Sequence, residues 1–402
     1  MIIDFAKSQF GQEEIDAVNL VLKTNWLASG EENTKFEEEF AAYVGAKEAI
    51  CVNSGSSANL IALASLNLIE GSKVLTAAAG FPATLSPILH LGFTPVLVDY
   101  DLETMNADTE AVLRRIPDVQ AVILAHTFGN PFNIQRIMEF ASVYGVPVIE
   151  DCCEALGTRI NGQHVGTFGD MGTFSFYPSH QITAGGMGGM VVISKDSKWV
   201  KNSNKLKSLR DWGKCWDWDE KLGDNKTNYD MYINDLDYKY YRHYTYTDLG
   251  WNFKLAEINA AFGREQLKRL EGFVDQRIEN YEYLFRKLQH LKCFKLLRSS
   301  VFGSRVGWFG FPMTIVDDKP NRNEFGDYLE SKGIRHRPFF AGNITRHYPF
   351  YGLKGHKASF EVADYLMKNS LFIGCWPGMT KEMLDYIVET ISQYVDNCHS
   401  KL

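Results

Sequence analysis

Seven short apolar runs, rich in β-branched residues, punctuate the first half of the chain. They are AICVNS (49–54), KVLTAA (73–78), TPVLVDY (94–100), QAVILAH (120–126), VPVIED (146–151), TFSFY (173–177) and MVVIS (190–194). Between most of them lie segments with helical spacing of apolar residues, such as SSANLIALASLNL (56–68) and NIQRIMEFASVYG (133–145). Near-continuous apolar runs suit strands buried on both faces, and strand–helix alternation implies right-handed crossovers and a mostly parallel sheet. The pattern therefore predicts an α/β fold with ligands at the carboxyl ends of the strands.

The rhythm changes after residue 210. Residues 211–251 are dense in Trp, Tyr, Asp and Asn and show no helical period, which predicts loops or hairpins. Such an insertion either packs on its own aromatics or covers a substrate. Residues 254–291 read as one long amphipathic helix. The remainder mixes a strand-like run, WFGFPMTIV (308–316), with helical patterns at 322–333 and 380–395. The expected division is a large α/β domain over 1–250, containing the 211–251 insertion, and a long helix with a smaller α+β domain over 251–402.

Composition narrows the setting. The 402 residues are 45% hydrophobic and 23% charged, ordinary for a soluble globular chain. A net charge of −7 argues against a general nucleic-acid surface. The start shows no basic segment followed by an apolar run, and no stretch of 18 apolar residues is present, so neither signal peptide nor membrane span is expected. Seven widely spread cysteines do not form an obvious disulfide framework, and a reducing cytoplasm is the expected location.

Three segments carry candidate chemistry. In NSGSSANL (53–60), a strand gives way to a helix through Gly55, Ser56 and Ser57. Free N–H groups at a helix start attract an anion, and glycine lets a ligand approach; an ordinary Ser/Gly helix cap gives the same letters. VIEDCCEALG (148–157) ends a buried strand with carboxylates. Asp151 can hold a cationic ring nitrogen by a charge-assisted hydrogen bond, and Glu154 can reach a neighbouring hydroxyl; both also suit a helix start. Asn252, in GWNFKLAEINAA, is a polar residue before a helix and by itself reads equally as a cap.

In order and spacing these segments resemble the sugar aminotransferase family (DegT/DnrJ/EryC type) of fold type I pyridoxal-phosphate enzymes, which act on nucleotide-linked keto sugars. The resemblance runs from NWLASGEENTKFEEEFAAYVG to WPGMTKEMLDYIVE, nearly the whole chain. It implies a seven-stranded sheet, a smaller C-terminal domain, and a homodimer with shared active sites. It also implies roles. Ser56 and Ser57 match the phosphate-binding turn, and Phe81, in GFPATLSPI, matches the aromatic stacked on the pyridine ring. Asp151 matches the acid on the ring nitrogen, Glu154 a group beside the ring hydroxyl, and Ser175 a phosphate contact. Asn252 matches an asparagine that reaches the neighbouring subunit's phosphate.

The stretch GTFSFYPSHQITAGGMGG (172–189) holds the decisive departure. Transaminases place their Schiff-base lysine after FSFYPS; here the residue is His180, followed by Gln181, Ile182 and Thr183. An imidazole cannot replace that amine, but it moves protons near neutral pH. Within the family, this narrows the resemblance to two branches, the GDP-4-keto-6-deoxymannose 3-dehydratases and the CDP-4-keto-6-deoxyglucose 3-dehydrases. AHTFGNPFN, LRDWG, GWFGFP, RPFFAGNITR and FIGCWPGMT resemble both, with wording nearer the CDP-sugar branch.

That branch also holds a [2Fe–2S] cluster through a Cys after the ED strand, a C-x-C pair after RDWG and a further Cys. Here Cys153 and Cys215 match two positions, Asp217 replaces a third, and no cysteine follows until Cys293. A cluster needs four ligands, so none is expected and no metal ligand is assigned. A second departure is Met187 in TAGGMGG, where related sequences carry a Glu in a shorter turn.

The resemblance thus implies pyridoxamine/pyridoxal 5′-phosphate as cofactor and C3 deoxygenation of a nucleotide-linked 4-keto-6-deoxyhexose, with His180 as acid/base and a donor such as glutamate restoring the amine form. The alternatives are a cluster-dependent reductive 3-dehydrase, an aminotransferase with an amine from elsewhere, a non-catalytic sugar-nucleotide binder, and dehydration of some other substrate.

Overall fold

All seven apolar runs become strands of one sheet: β1 Glu48–Val52, β2 Lys73–Ala77, β3 Thr94–Val98, β4 Ala121–Ala125, β5 Val148–Asp151, β6 Met171–Ser175 and β7 Gly189–Ile193. The computed structural model describes residues 1–216, 229–233, 236–316, 321–355 and 359–399. Strand order is β1-β7-β6-β5-β4-β2-β3. Pairing is parallel from β6 through β3, and β7 runs antiparallel to both β6 and β1.

Neighbouring residues of a strand point to opposite faces, so each strand feeds two cores. Ile50, Ile123 and Val191 pack with α3 (Gly55–Ala64), α4 (Pro82–His90) and α7 (Asn204–Arg210). Cys51, Val122 and Val192 pack on the other side, with α2 (Glu31–Val44), α5 (Thr109–Arg115), α6 (Ile134–Tyr144) and α8 (Glu257–Leu288). Burial on both faces explains why the runs show no polar alternation.

The 32-residue α8 is the long helix expected from 254–291. Its buried positions include 260, 263, 267, 270, 274, 277, 281, 284 and 288, alternating steps of three and four. Its first half lines the sheet core, while Tyr281, Leu284 and Leu288 enter a second core. That core covers an antiparallel sheet of β8 (Phe294–Leu296), β9 (Gly310–Ile315), β10 (His336–Pro338) and β11 (Ser370–Gly374), in the order β8-β9-β11-β10. Three helices, Arg322–Ser331, Glu361–Asn369 and Lys381–His399, accompany it.

The described residues of the 211–251 stretch include a short hairpin of Tyr229–Tyr232 and Lys239–Tyr241 and are otherwise largely irregular. Asp217 lies outside the described residues. The start of the stretch is tied down: the Lys254 ammonium sits 3.3 Å from the Trp212 ring centroid, and Cys215 N–H bonds Thr245 O at 2.9 Å. None of the described helices is long and apolar enough to cross a membrane.

Candidate active site

A cavity of about 900 Å³ opens over the carboxyl ends of β2, β4, β5 and β6, where the rule for parallel sheets puts a ligand. Ala77, Ala125, Asp151 and Ser175 line its floor. Phe309, Arg337 and Phe340 close it from the C-terminal part of the chain.

Asp151 ends β5 and is buried. Its Oδ2 accepts hydrogen bonds from Asn59 Nδ2 at 2.8 Å and Thr84 Oγ1 at 2.7 Å, and its Oδ1 accepts from Cys153 N–H at 3.1 Å. Asn59 is held in turn by Thr173 Oγ1 at 2.5 Å. A carboxylate held by this many donors has a fixed direction. Asn59, Thr84 and Thr173 are site residues that sequence reading did not single out. Asn59 does sit one turn into α3, in the same SSAN motif as the serines.

Beside it, Ser54 caps α3, its Oγ accepting from Ser57 N–H at 3.1 Å. Gly55 is there for space: a Cβ would lie 2.7 Å from both Cys153 Sγ and Ser175 Cβ. The helix start can therefore press against the end of β6, which sets Ser56 and Ser175 on one wall of the cavity. Ser57, expected beside Ser56, instead turns into the protein: its Oγ donates to Asn53 Oδ1 at 2.7 Å and does not line the cavity. Phe81 precedes α4 and lines the cavity at 58% exposure.

His180 lies in the connection between β6 and β7. Because these strands are antiparallel neighbours, with Ser175 opposite Gly189, residues 176–188 must fold back over the carboxyl end of β6. The turn is closed by Phe176 N–H to Gly188 O at 2.9 Å and Thr183 Oγ1 to Phe176 O at 2.9 Å. The glycine-rich exit now has a reason. Gly185, Gly186 and Gly188 adopt φ of 69°, 108° and 127°, and a Cβ on Gly189 would sit 2.4 Å from Ser54 O. Met187, between them, points out to solvent.

The imidazole lines the cavity and packs against Phe309, tilted by 42° at 5.2 Å between centroids. Burial, with the Arg277 guanidinium adding repulsion, pushes its pKa down to about 3, so the ring is neutral at ordinary pH. Arg277 was not singled out from sequence. It occupies an otherwise apolar row of α8, between Val274 and Tyr281, a signal that was legible. Its guanidinium donates to the backbone oxygens of His180, Trp308 and Phe309.

Glu154 also lines the cavity. Its Oε2 accepts from Phe128 N–H at 2.7 Å, yet burial and then nearby Asp151 push its pKa up to about 8. The folded protein thus keeps a proton that the unfolded chain loses above about 4.5. Stability from this group falls as pH rises through that window and is fully lost above the folded value. Thermal melts of cofactor-free protein between about pH 5 and 8 should therefore show a steeper loss of Tm than the Glu154→Gln variant, by a few degrees. Parallel slopes would contradict it.

Asn252 stands apart. It is exposed, pairs by backbone with Asp211, and does not line this chain's cavity. Cys153 lines the cavity and Cys215 is buried. His126, Glu150 and Cys152 cluster within 4.8 Å, but their bonds are internal. Glu150 takes His126 Nε2 and the N–H groups of Gly166, Phe168 and Gly169, and Phe132 N–H donates to His126 Nδ1. This cluster ties β4, β5 and the following loop together.

Residues 8–392 match the profile of the DegT/DnrJ/EryC1/StrS aminotransferase family. The lipopolysaccharide biosynthesis protein RfbH of Salmonella typhimurium is 36% identical over 400 residues, 96% of this chain and 90% of that protein. The dTDP-4-dehydro-2,6-dideoxy-D-glucose 3-dehydratase of Saccharopolyspora spinosa is 37% identical over 383 residues, 92% of this chain and 81% of that one. The solved structure of the E. coli GDP-4-keto-6-deoxy-D-mannose-3-dehydratase with bound hydrated PLP has a TM-score of 0.83 at 28% identity, covering 97% of this chain and 100% of its own.

Proposed function

The chain belongs to the DegT/DnrJ/EryC1/StrS aminotransferase family, and from that premise we propose that it is a pyridoxamine/pyridoxal 5′-phosphate-dependent 3-dehydratase of a nucleotide-linked 4-keto-6-deoxyhexose. The observation that carries the reading is the identity of residue 180. Among the described residues, the cavity is lined by two histidines, His180 and the His126 already bonded to Glu150, and by no lysine, which favours proton transfer over amine exchange with a protein side chain. The retained carboxylate, serines and aromatic favour catalysis over passive binding.

The cavity fits the cofactor. The space kept by Gly55, the helix N-terminus with Ser56, and Ser175 suit a phosphate. Phe81 offers a ring face to the pyridine, and Asp151 is aimed by Asn59 and Thr84 to hold a protonated ring nitrogen. Glu154, protonated at neutral pH, can donate to the ring hydroxyl oxygen. When bound, the cofactor supplies an amine for the 4-keto group and an electron-accepting ring.

His180 does the proton work in this reading. Neutral in the folded protein, it would take at Nε2 the proton given up by the carbon that bears the cofactor's amine, whose C–H electrons the ring would accept, and the resulting imidazolium, a strong acid, would pass that proton to the C3 hydroxyl as it leaves as water. An amino donor such as glutamate then restores the cofactor's amine form. With two matching cysteines of four, we assign no iron–sulfur cluster to the reaction. Exposed Asn252 supports a homodimer in which it reaches the other subunit's phosphate site.

The test is incubation with pyridoxamine phosphate and a panel of CDP-, GDP-, dTDP- and UDP-4-keto-6-deoxy sugars, read by mass spectrometry. Loss of one oxygen from one sugar is expected, whereas an amino-sugar product would make the enzyme an aminotransferase. Borohydride reduction with pyridoxal phosphate is expected to leave residue 180 unmodified; cofactor attached there would overturn the assignment.

A further inference from the structure

Behind the His180 ring lies a second, far smaller cavity of about 10 Å³, between the β6–β7 connection and α8. His180, Gln181, Gln266 and Arg277 are among its lining residues, and His180 lines the large cavity too. Three of these residues each leave one fully buried polar atom with no hydrogen-bond partner among the described residues: His180 Nδ1, Gln181 Oε1 and Arg277 Nε. Gln181 and Arg277 are each only 2% exposed.

The roles of two of these atoms are fixed. Gln181 Nε2 donates to Glu154 O at 2.5 Å and Gly307 O at 2.8 Å, so the other end of that amide is the acceptor. The terminal nitrogens of Arg277 are engaged by backbone oxygens, at 3.1 to 3.2 Å, which leaves Nε–H as an unused donor. Cys375 is the other polar neighbour of the guanidinium. A buried water needs a polar cavity of roughly 10–15 Å³ or more and two to four partners. Size and donor set both match one molecule and nothing larger.

We propose that this small cavity is a binding site for a single water molecule, which bonds His180 Nδ1, Gln181 Oε1 and Arg277 Nε and thereby fixes the tautomer of His180. Arg277 Nε–H can only donate and Gln181 Oε1 can only accept, so the water accepts from one and donates to the other. One lone pair and one O–H remain to meet Nδ1. The choice between them rests on reading His180 as the base facing the large cavity. A base with its lone pair on Nε2 carries its hydrogen on Nδ1, and Nδ1–H donates to the water. That arrangement stays satisfied after Nε2 takes a proton, because both ring nitrogens of an imidazolium donate. The reverse arrangement would turn the lone pair to be protonated away from the large cavity.

Two measurements on the wild-type protein decide the matter without turnover. A high-resolution crystal structure is expected to show one ordered water within hydrogen-bond reach of all three atoms. ¹⁵N NMR of histidine-labelled protein, with the resonance assigned by its loss in His180→Asn, is expected to show a protonated Nδ1 and a bare Nε2. Gln181→Leu should then shift that signature towards a tautomer mixture and lower kcat by at least about tenfold with KM little changed. No water density at the site, or an Nε2-protonated ring, overturns the proposal even if Gln181→Leu does not fold. Should water and tautomer be found while His180→Asn still dehydrates sugar, the water site stands and the assigned role of His180 fails.

Discussion

His180→Asn is expected to bind cofactor and substrate as the wild type does and to lose dehydration by about 10²- to 10⁴-fold, the usual contribution of a positioned general acid–base. Asparagine keeps the polarity and much of the volume of the ring. The segment's anchors are backbone groups, His180 N–H to Tyr177 O and Arg277 to His180 O, so the loop should hold its shape. The variant lacks a group that can take a proton at the Nε2 position and give it back. Cofactor spectra and mass spectrometry of the sugar separate the two effects, and turnover near the wild-type rate would remove His180 from the chemistry. The wild type carries a companion signature. With the imidazole held neutral down to about pH 3, the kcat/KM profile should lack the acid limb that an ordinary histidine gives near its usual 6.5.

The second large effect is expected at Asp151. In Asp151→Asn, the Oδ2 position that accepts from Asn59 and Thr84 either becomes a neutral carbonyl or turns into an NH₂ facing two donors. In both cases the ring nitrogen loses its charged partner. A hydrogen bond to a charged group is worth about 1.5–3 kcal/mol, so cofactor affinity should fall by roughly ten- to a hundredfold. Turnover should fall further, because an unprotonated ring is a weaker electron sink. Titration of the cofactor's absorbance measures the first and single-turnover kinetics the second. Unchanged values for both would place the ring nitrogen elsewhere.

Much of this was legible in the chain. Strands β1 to β7 fall on the seven apolar runs because a strand buried on both faces has no position at which a polar residue is cheap. Helix α8 was legible because its buried row repeats in steps of three and four over its whole length. The cavity-lining residues Ser56, Phe81, Asp151, Glu154, Ser175 and His180 were found through motif order. The direction of the Ser57 hydroxyl shows the limit. Adjacent helical residues point about a quarter-turn apart, so two serines in one motif do not share a wall. Ser57 spends its hydroxyl on Asn53. The supports of Asp151 were missed for the opposite reason, since Asn59, Thr84 and Thr173 come from three separate elements and meet only when the sheet is assembled.

The sequence by itself determined which groups are available: a histidine where transaminases carry an amine, a carboxylate at the end of a buried strand, serines at a helix start and a strand end, and cysteines at two of four positions. Those are properties of residue type and order, and they survive without coordinates. Only the tertiary structure decided what state those groups are in. Burial beside Arg277 holds His180 neutral, and burial beside Asp151 keeps Glu154 protonated at neutral pH. Both shifts come from desolvation and from charges far away in the chain, which a linear pattern does not carry. The glycines of the turn are legible, but the antiparallel pairing of β7 with β6 is not, and it is this pairing that folds the histidine over the end of the sheet.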